Sequence, residues 1–501
     1  MTQAPITDAP EVIIDRELPT RPLALQGKVL VTGASGYIGG RLVPVLVKRG
    51  YGVRVMVRAP SPEYAERWPT CEIVVADALE SASLLTALQG VHTAYYLIHS
   101  MLLSRRQFAA ADRTAAQNFR VAAAAAGVKR IIYLGGLGDL RAELSTHLRS
   151  RMDVADELTK GPVPTTVLRA AIIVGSGSAS YELMKHLVQS LPLLPAPPWA
   201  RTRCQPIGIR DVITYLVGVL ETESTAGGLF DIGGKEVHSY KSMLRILADV
   251  LGRRMLIFDC PFPSARLCAY FGSLLTPVPQ PIVRCLFESS ANEVVCQNND
   301  IQTILPFATL SYRQSIVLAL TREEQDEVHS RWSDAYPPAH ELALRLEELH
   351  HPARYTVSHR LTSHKDTQAL FKSICSIGGR EGWFHNNWLW RLRGVLDRIL
   401  MGVGSARGRR QASRLRINDV VDFWRVEDLR SPRRLLLRAE MKLPGRGWLE
   451  FRLDPSEGAT EIRLNVYFDS TSLAGRLYWY ACVPLHWIVF RGLLQQIERR
   501  S

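Results

Sequence analysis

Residues 26–58 read QGKVLVTGASGYIGGRLVPVLVKRGYGVRVMVR. A short apolar run, 29–31, ends in Thr32-Gly33-Ala34-Ser35-Gly36-Tyr37-Ile38-Gly39. An amphipathic segment with Leu42, Val45 and Leu46 follows, and then a second apolar run, 53–57. The order is strand, glycine turn, helix, strand. Gly33 allows the tight turn, Gly36 lets the backbone approach a pyrophosphate, and Gly39 lets the helix pack close to the strand. The helix N-terminus then offers N–H groups to an anion. A glycine pattern alone says little, but this one sits between the elements its mechanism needs. Gly33, Ser35, Gly36, Tyr37, Ile38 and Gly39 are therefore the candidate dinucleotide cradle.

The residues after the second strand select the cofactor. A carboxylate there would accept the ribose hydroxyls of NAD. This chain has Arg58, with no carboxylate before Glu63, and a guanidinium suits a 2′-phosphate. Arg41, early in the first helix, can reinforce it. NADP(H) is expected in preference to NAD(H).

Outward from this stretch, strands and helices alternate. Strands are expected at 28–32, 53–57, 72–76, 93–98, 130–135 and 165–169, with a long alanine-rich helix over 105–126. Such alternation predicts an α/β doubly wound parallel sheet, a Rossmann fold, with its ligand at the C-terminal strand ends. Asp77 and Ala78, after the third strand, are placed to meet the adenine. Leu97 and Ile98 end a central strand on the nicotinamide side, followed by His99 and Ser100. From about residue 200 the pattern turns irregular and Pro-rich, as expected of an extension that covers the cofactor and forms a substrate pocket. Residues 227–234 read as a strand ending in a turn, and a helix is expected over 240–251. The charged segment 322–350 is helical by pattern.

With 501 residues the chain is too long for one ordinary domain. Its charge is uneven. Residues 351–501 hold 26 Lys+Arg against 14 Asp+Glu, whereas residues 1–350 are nearly balanced at 35 against 34. Three parts follow: a disordered tail over 1–25, a dinucleotide-binding domain over 26–335, and a basic domain over 336–501. The basic domain should prefer an anionic partner such as a membrane surface. Nucleic acid is disfavoured, because no recognised binding module accompanies the charge. The eight cysteines form no C-x-x-C pair, so no metal site is expected and the thiols suit a reducing, cytoplasmic compartment. The tail lacks a basic segment followed by an apolar core, so no secretory signal is read there.

In the basic domain an alternating strand over 354–361 and a helix over 366–375 precede the aromatic cluster Trp383, Phe384, Trp388 and Trp390. The period then changes to two, giving strands at 420–426, 433–441, 448–453 and 461–469. A helix over 473–500, with Pro484 inside it, closes the chain. A curved sheet wrapped on such a helix can leave an apolar cavity. The apolar run 477–490 is too short to span a bilayer but suits an interfacial helix between Arg476 and Arg491. Arg407, Arg409, Arg410, Arg414 and Arg416 form a further cationic cluster.

After residues 131–134 comes Gly135-Gly136-Leu137-Gly138, and then a helix carrying His147-Leu148-Arg149-Ser150-Arg151. Here the first part resembles the short-chain dehydrogenase/reductase superfamily in its extended, nucleotide-sugar-epimerase-like branch. The resemblance implies a serine at the end of the fifth strand and a Tyr-x-x-x-Lys pair on the next helix. The matching positions are Gly135, His147 and Arg151, so the spacing survives and the residue types do not. An imidazole can transfer a proton near neutral pH, and Arg151 can hold ribose hydroxyls, which makes His147 and Arg151 the candidate catalytic pair. Binding without turnover is the alternative. The words YYLIHSM (95–101), IIYLGGLG (131–138), HLRSR (147–151) and AEMKLPGRGWLEF (439–451) also resemble a bacterial family of two-domain proteins whose C-terminal domain is START-like. This implies an NADP-binding oxidoreductase module joined to a helix-grip pocket for an apolar ligand.

The leading expectation is an NADP(H)-dependent reductase of a carbonyl or activated double bond on a hydrophobic substrate. The alternatives are a non-catalytic NADP(H)-binding regulatory or assembly protein, and a lipid-handling protein at the inner membrane surface.

Overall fold

The computed structural model describes residues 18–501 except 59, 61, 99–104, 139–142, 262–264, 277, 279, 325–345, 347, 348, 350, 380, 401, 405–414, 418 and 457. The expected tail falls mostly outside the described residues. So do the domain boundary near 335, most of segment 322–350, His99, Ser100, Arg407, Arg409, Arg410 and Arg414.

Seven parallel strands build the first sheet: β1 (Lys28–Val31), β2 (Val53–Val57), β3 (Glu72–Val75), β4 (Val91–Tyr96), β5 (Arg130–Gly136), β6 (Thr165–Ala170) and β7 (Leu229–Ile232). Their spatial order is β7-β6-β5-β4-β1-β2-β3. The order reverses between β1 and β4, and that switch point is where doubly wound sheets open a crevice. Successive side chains of one strand enter different cores. Val29 and Val31 join α1 (Gly39–Lys48), while Leu30 joins the opposite layer. Burial on both faces explains why these strands read as continuous apolar runs rather than alternating ones. On the second face α2 (Arg105–Ala125) packs along α3 (Thr146–Thr159). Its buried Ala115, Ala116, Phe119, Ala122 and Ala123 recur every three or four residues, and the small side chains let the helices approach closely.

The extension is built from short pieces. Ile173–Val174 pairs with Ile207–Gly208, and Leu193–Ala196 pairs with Leu256–Asp259. The helices α4 (Ala179–Ser190), α5 (Ile209–Leu220), α6 (Ala265–Leu275) and α7 (Gln280–Ser289) lie among them.

The C-terminal domain opens with β8 (Tyr355–Ser363), α8 (Thr367–Cys375) and α9 (Asn387–Ile399). The antiparallel strands β9 (Val420–Val421), β10 (Trp424–Arg430), β11 (Arg434–Ala439), β12 (Arg446–Ser456) and β13 (Ala459–Asp469) follow, and α10 (Leu473–Arg500) closes the chain. The sheet order is β8-β13-β12-β11-β10-β9. The single strand expected over 420–426 is instead two, because Asp422 takes a left-handed φ of 54° and turns the chain between them. Trp388 and Trp390 of the expected aromatic cluster lie on α9, a helix that the period did not suggest. The inner face of the sheet is apolar along alternate residues, including Leu449, Phe451 and Leu453 of β12. Aromatic rings occupy the space between sheet and helices. Trp383 stacks on Trp390 at 4.1 Å, Trp390 lies 6.1 Å from Phe490, and Trp383 lies 6.2 Å from Trp424.

Candidate dinucleotide site

The cradle begins where β1 ends. The fully buried Thr32 ties β1 to β4: its N–H donates to the Tyr95 carbonyl at 3.0 Å, its Oγ1 donates to the same oxygen at 2.9 Å, and it accepts from the Leu97 N–H at 3.0 Å. This brings Leu97 against Gly33. Gly33 has φ +62°, and a Cβ there would lie 2.6 Å from the Leu97 carbonyl oxygen. Glycine is thus required twice, by conformation and by space. Gly39 is required by space alone, since a Cβ would lie 2.4 Å from the Gly33 oxygen. The Gly36 N–H closes the turn on the Gly33 oxygen at 3.0 Å. Helix α1 then starts after Ile38, which gives no side-chain cap; the Gly40 N–H donates to the Gly36 carbonyl at 2.9 Å, and the Arg41 and Leu42 N–H groups both donate to the Ile38 carbonyl at 3.0 Å. Ser35 and Tyr37 are half-buried along this turn, and Ala34 is in the core.

Arg58 stands one residue beyond β2, exposed and without a hydrogen bond or ion pair among the described residues. Arg41 does not join it. Its Nη2 donates to the Ser176 carbonyl at 2.6 Å, and its guanidinium lies 4.8 Å from the centre of the Tyr37 ring. Tyr37 is held in turn, because its Oη fills the space beside Gly175. Arg41 and Tyr37 therefore clamp the glycine turn to the loop 175–178. The sequence reading passed over this loop, and its signal was Gly175-Ser176-Gly177-Ser178 directly after an apolar run. Asp77 follows β3. Its Oδ1 accepts from the Leu79 N–H at 2.9 Å, which shapes the turn around the buried Ala78. Leu97 and Ile98 are part-buried just past β4, so the structure gathers the expected cofactor residues at neighbouring strand ends.

His147 and Arg151 lie in α3, beside the end of β5. Tyr133 is fully buried and donates from Oη to the Arg151 carbonyl at 3.0 Å. The Arg151 guanidinium folds back over the Tyr133 ring at 5.4 Å, and its Nη2 donates to the Leu134 carbonyl at 2.9 Å. Its Nη1 is buried without a hydrogen-bond partner among the described residues. A buried unpaired guanidinium N–H is costly, and a ligand oxygen would satisfy it. Burial, reinforced by the Arg151 charge, pushes His147 down to about 4, so the imidazole is neutral at pH 7.

Residues 26–264 match the NmrA-like family, and residues 350–493 match a family of proteins of unknown function, DUF2867. One relative is the mitochondrial NADH dehydrogenase [ubiquinone] 1 alpha subcomplex subunit 9 of Arabidopsis thaliana, 24% identical over 261 residues, which cover 50% of this chain and 65% of that protein. The chain thus spans less than two thirds of that relative's length. The ceramide reductase of Caulobacter vibrioides is 24% identical over 243 residues, covering 48% of this chain and 75% of that protein. Among solved structures, the Bordetella bronchiseptica enzyme WbmG in complex with NAD and UDP is 15% identical with a TM-score of 0.49, covering 62% of this chain and 97% of that chain. Among the described residues no helix is long and apolar enough to cross a membrane.

Proposed function

Because residues 26–264 belong to the NmrA-like family of NAD(P)-binding, oxidoreductase- and epimerase-like proteins, we propose that the chain is an NADP(H)-dependent oxidoreductase that reduces a carbonyl or activated double bond on a hydrophobic substrate. The observation that carries this reading is the pairing of the Gly33–Gly39 turn with the exposed Arg58 just past β2, which is unpaired among the described residues. The turn and the start of α1 hold the pyrophosphate, and Arg58 holds the 2′-phosphate. The bound cofactor supplies a hydride to an electrophilic carbon. A relative named for the reduction of a ceramide supports a hydrophobic substrate, and the order of strand, helices, antiparallel sheet and long helix supports a START-like reading of the C-terminal domain.

His147 acts as a neutral imidazole that donates a hydrogen bond to a substrate oxygen, with water supplying the proton in the reducing direction and taking it up in the oxidising direction. Arg151 offers its free Nη1 to the ribose. Cofactor fluorescence tests the first part: NADPH binds more tightly than NADH, and Arg58→Asp removes about tenfold of that preference, the scale of one charge-assisted hydrogen bond. Equal affinities in the unaltered protein would rule out the NADP(H) assignment.

A second reading, cofactor binding without turnover, is favoured by Arg151. Most of its guanidinium is committed to Leu134 and Tyr133 rather than to the crevice. His147→Phe separates the two. An oxidoreductase loses kcat on an identified substrate while keeping its NADPH affinity, and unchanged turnover would remove His147 from the chemistry.

A further inference from the structure

The two helices that flank the C-terminal core bury only one side each. On α9 the apolar residues Trp388, Leu392, Val395, Leu396 and Ile399 are exposed, with Trp388 63% accessible. Their spacing of four, three, one and three residues places them along one helical face. On α10 the exposed residues Leu473, Leu477, Tyr480, Trp487 and Ile488 follow the same rule over about four turns, with Leu473 71% accessible. The helices are neighbours. The Trp390 ring lies 6.1 Å from Phe490, and the Arg393 guanidinium acts on the Tyr478 hydroxyl. Their inner sides meet each other and the sheet, and the apolar outer sides are left to solvent. Single exposed apolar residues need no explanation, but two adjacent helical faces do.

Charge decides what covers them. Arg391, Arg476 and Arg491 are the exposed charged residues on α9 and on α10 as far as Gln495, and none makes an ion pair among the described residues. Arg491 lies 5.2 Å from the Trp487 ring. The one acid of α9, Asp397, is fully buried beside Arg393, and α10 carries no acid before Glu498. A second copy of this chain docked face to face would bring arginines near arginines with no exposed acid on either helix to pair with them. Anionic headgroups supply that missing counter-charge, and the acyl region accepts the leucines while tryptophan and tyrosine sit at the boundary.

We propose that the outer faces of α9 and α10 form a docking surface for an anionic lipid bilayer, with both helices lying in the plane of the interface. The inference is independent of the dinucleotide site.

The test is sedimentation of the full chain with vesicles of phosphatidylcholine alone and of phosphatidylcholine mixed with phosphatidylglycerol, with Leu396→Glu/Trp487→Glu as the variant. Both substituted residues are exposed, and NADPH binding and circular dichroism check that the variant remains folded. The unaltered protein is expected to pellet with the anionic vesicles, to be released by salt, and to shift its tryptophan emission to shorter wavelength. The variant is expected to bind at least about tenfold more weakly, since each glutamate replaces buried apolar area with a repelled charge. If the unaltered protein stays in the supernatant with both vesicles, or the variant pellets equally, the proposal fails. It fails as well if light scattering without lipid finds a dimer that the variant dissociates while neither protein pellets, since the face then belongs to a second copy.

Discussion

Gly33 is the residue on which the cofactor crevice turns. It combines a left-handed φ with a carbonyl oxygen 2.6 Å from where a side chain would begin, so Gly33→Ala strains the backbone and pushes β1 away from Leu97. The expected cost is about 1–3 kcal/mol, read as a lower Tm together with loss of NADPH binding. Asp231 is a second residue of this kind on the structural side. Its fully buried carboxylate accepts from Arg169 at 2.7 Å and from the Gln297 N–H at 2.8 Å, joining β6 to β7 and to the chain beyond. Asp231→Ala leaves the part-buried Arg169 and the Gln297 N–H without their acceptor, and denaturant unfolding should show a loss of about 1–3 kcal/mol. His147 shows what a single residue leaves to its surroundings. Its place one turn from Arg151 could be read from spacing, but its neutrality comes from packing that spacing does not encode.

Helix α10 shows how one element serves two environments. Its second half is buried through Val489, Phe490, Leu493, Leu494 and Ile497, while its first half exposes Leu473, Leu477 and Tyr480. At the crossover His486 sits 5.6 Å from Trp479 and 5.2 Å from Phe490, and burial, with His359 adding to it, pushes it down to about 4. An unfolded histidine titrates near 6.5. Between about 6.5 and 4 the unfolded chain therefore binds protons that the folded chain refuses, and His147 acts in the same sense. Stability is full above pH 6.5 and falls as the pH drops toward 4. His486→Leu should flatten this fall in Tm against pH, and an unchanged slope would place the effect elsewhere. Elements of this length were largely legible in the sequence. The six expected strands of the first sheet and the closing helix are found where period and turn residues put them, because burial on both faces leaves long apolar runs. The split of β9 from β10 was not legible, because it depends on the left-handed conformation of one aspartate. Helix α9 was not read either, because the aromatic residues Trp388 and Trp390 stood out from it and its largely exposed apolar residues mark no buried stripe.

At the scale of the molecule the chain holds separate cores. The dinucleotide module is organised around its parallel sheet, and the C-terminal domain around Trp383, Trp390, Trp424 and Phe490. The two meet where α9 reaches α6, the Arg398 Nη1 donating to the Leu274 carbonyl. Trp383 is 2% exposed and donates from Nε1 to Asp422 at 2.8 Å. Trp383→Ala should therefore cost the C-terminal domain about 3–5 kcal/mol and split the calorimetric unfolding into two steps, with NADPH affinity unchanged. The candidate cofactor residues could be picked out from the sequence because each follows a strand end. Arg41 could not be placed that way, since its partner Ser176 is 135 residues distant and only the fold brings them together. What the crevice binds is decided by calorimetric titration of the full chain and of Gly33→Ala with NADPH and with NADH. The cradle and Arg58 predict saturable NADPH binding about tenfold tighter than NADH and abolished by Gly33→Ala. Heat-silent titrations with both nucleotides up to ~1 mM, or NADPH binding that Gly33→Ala leaves intact, would contradict the dinucleotide site itself.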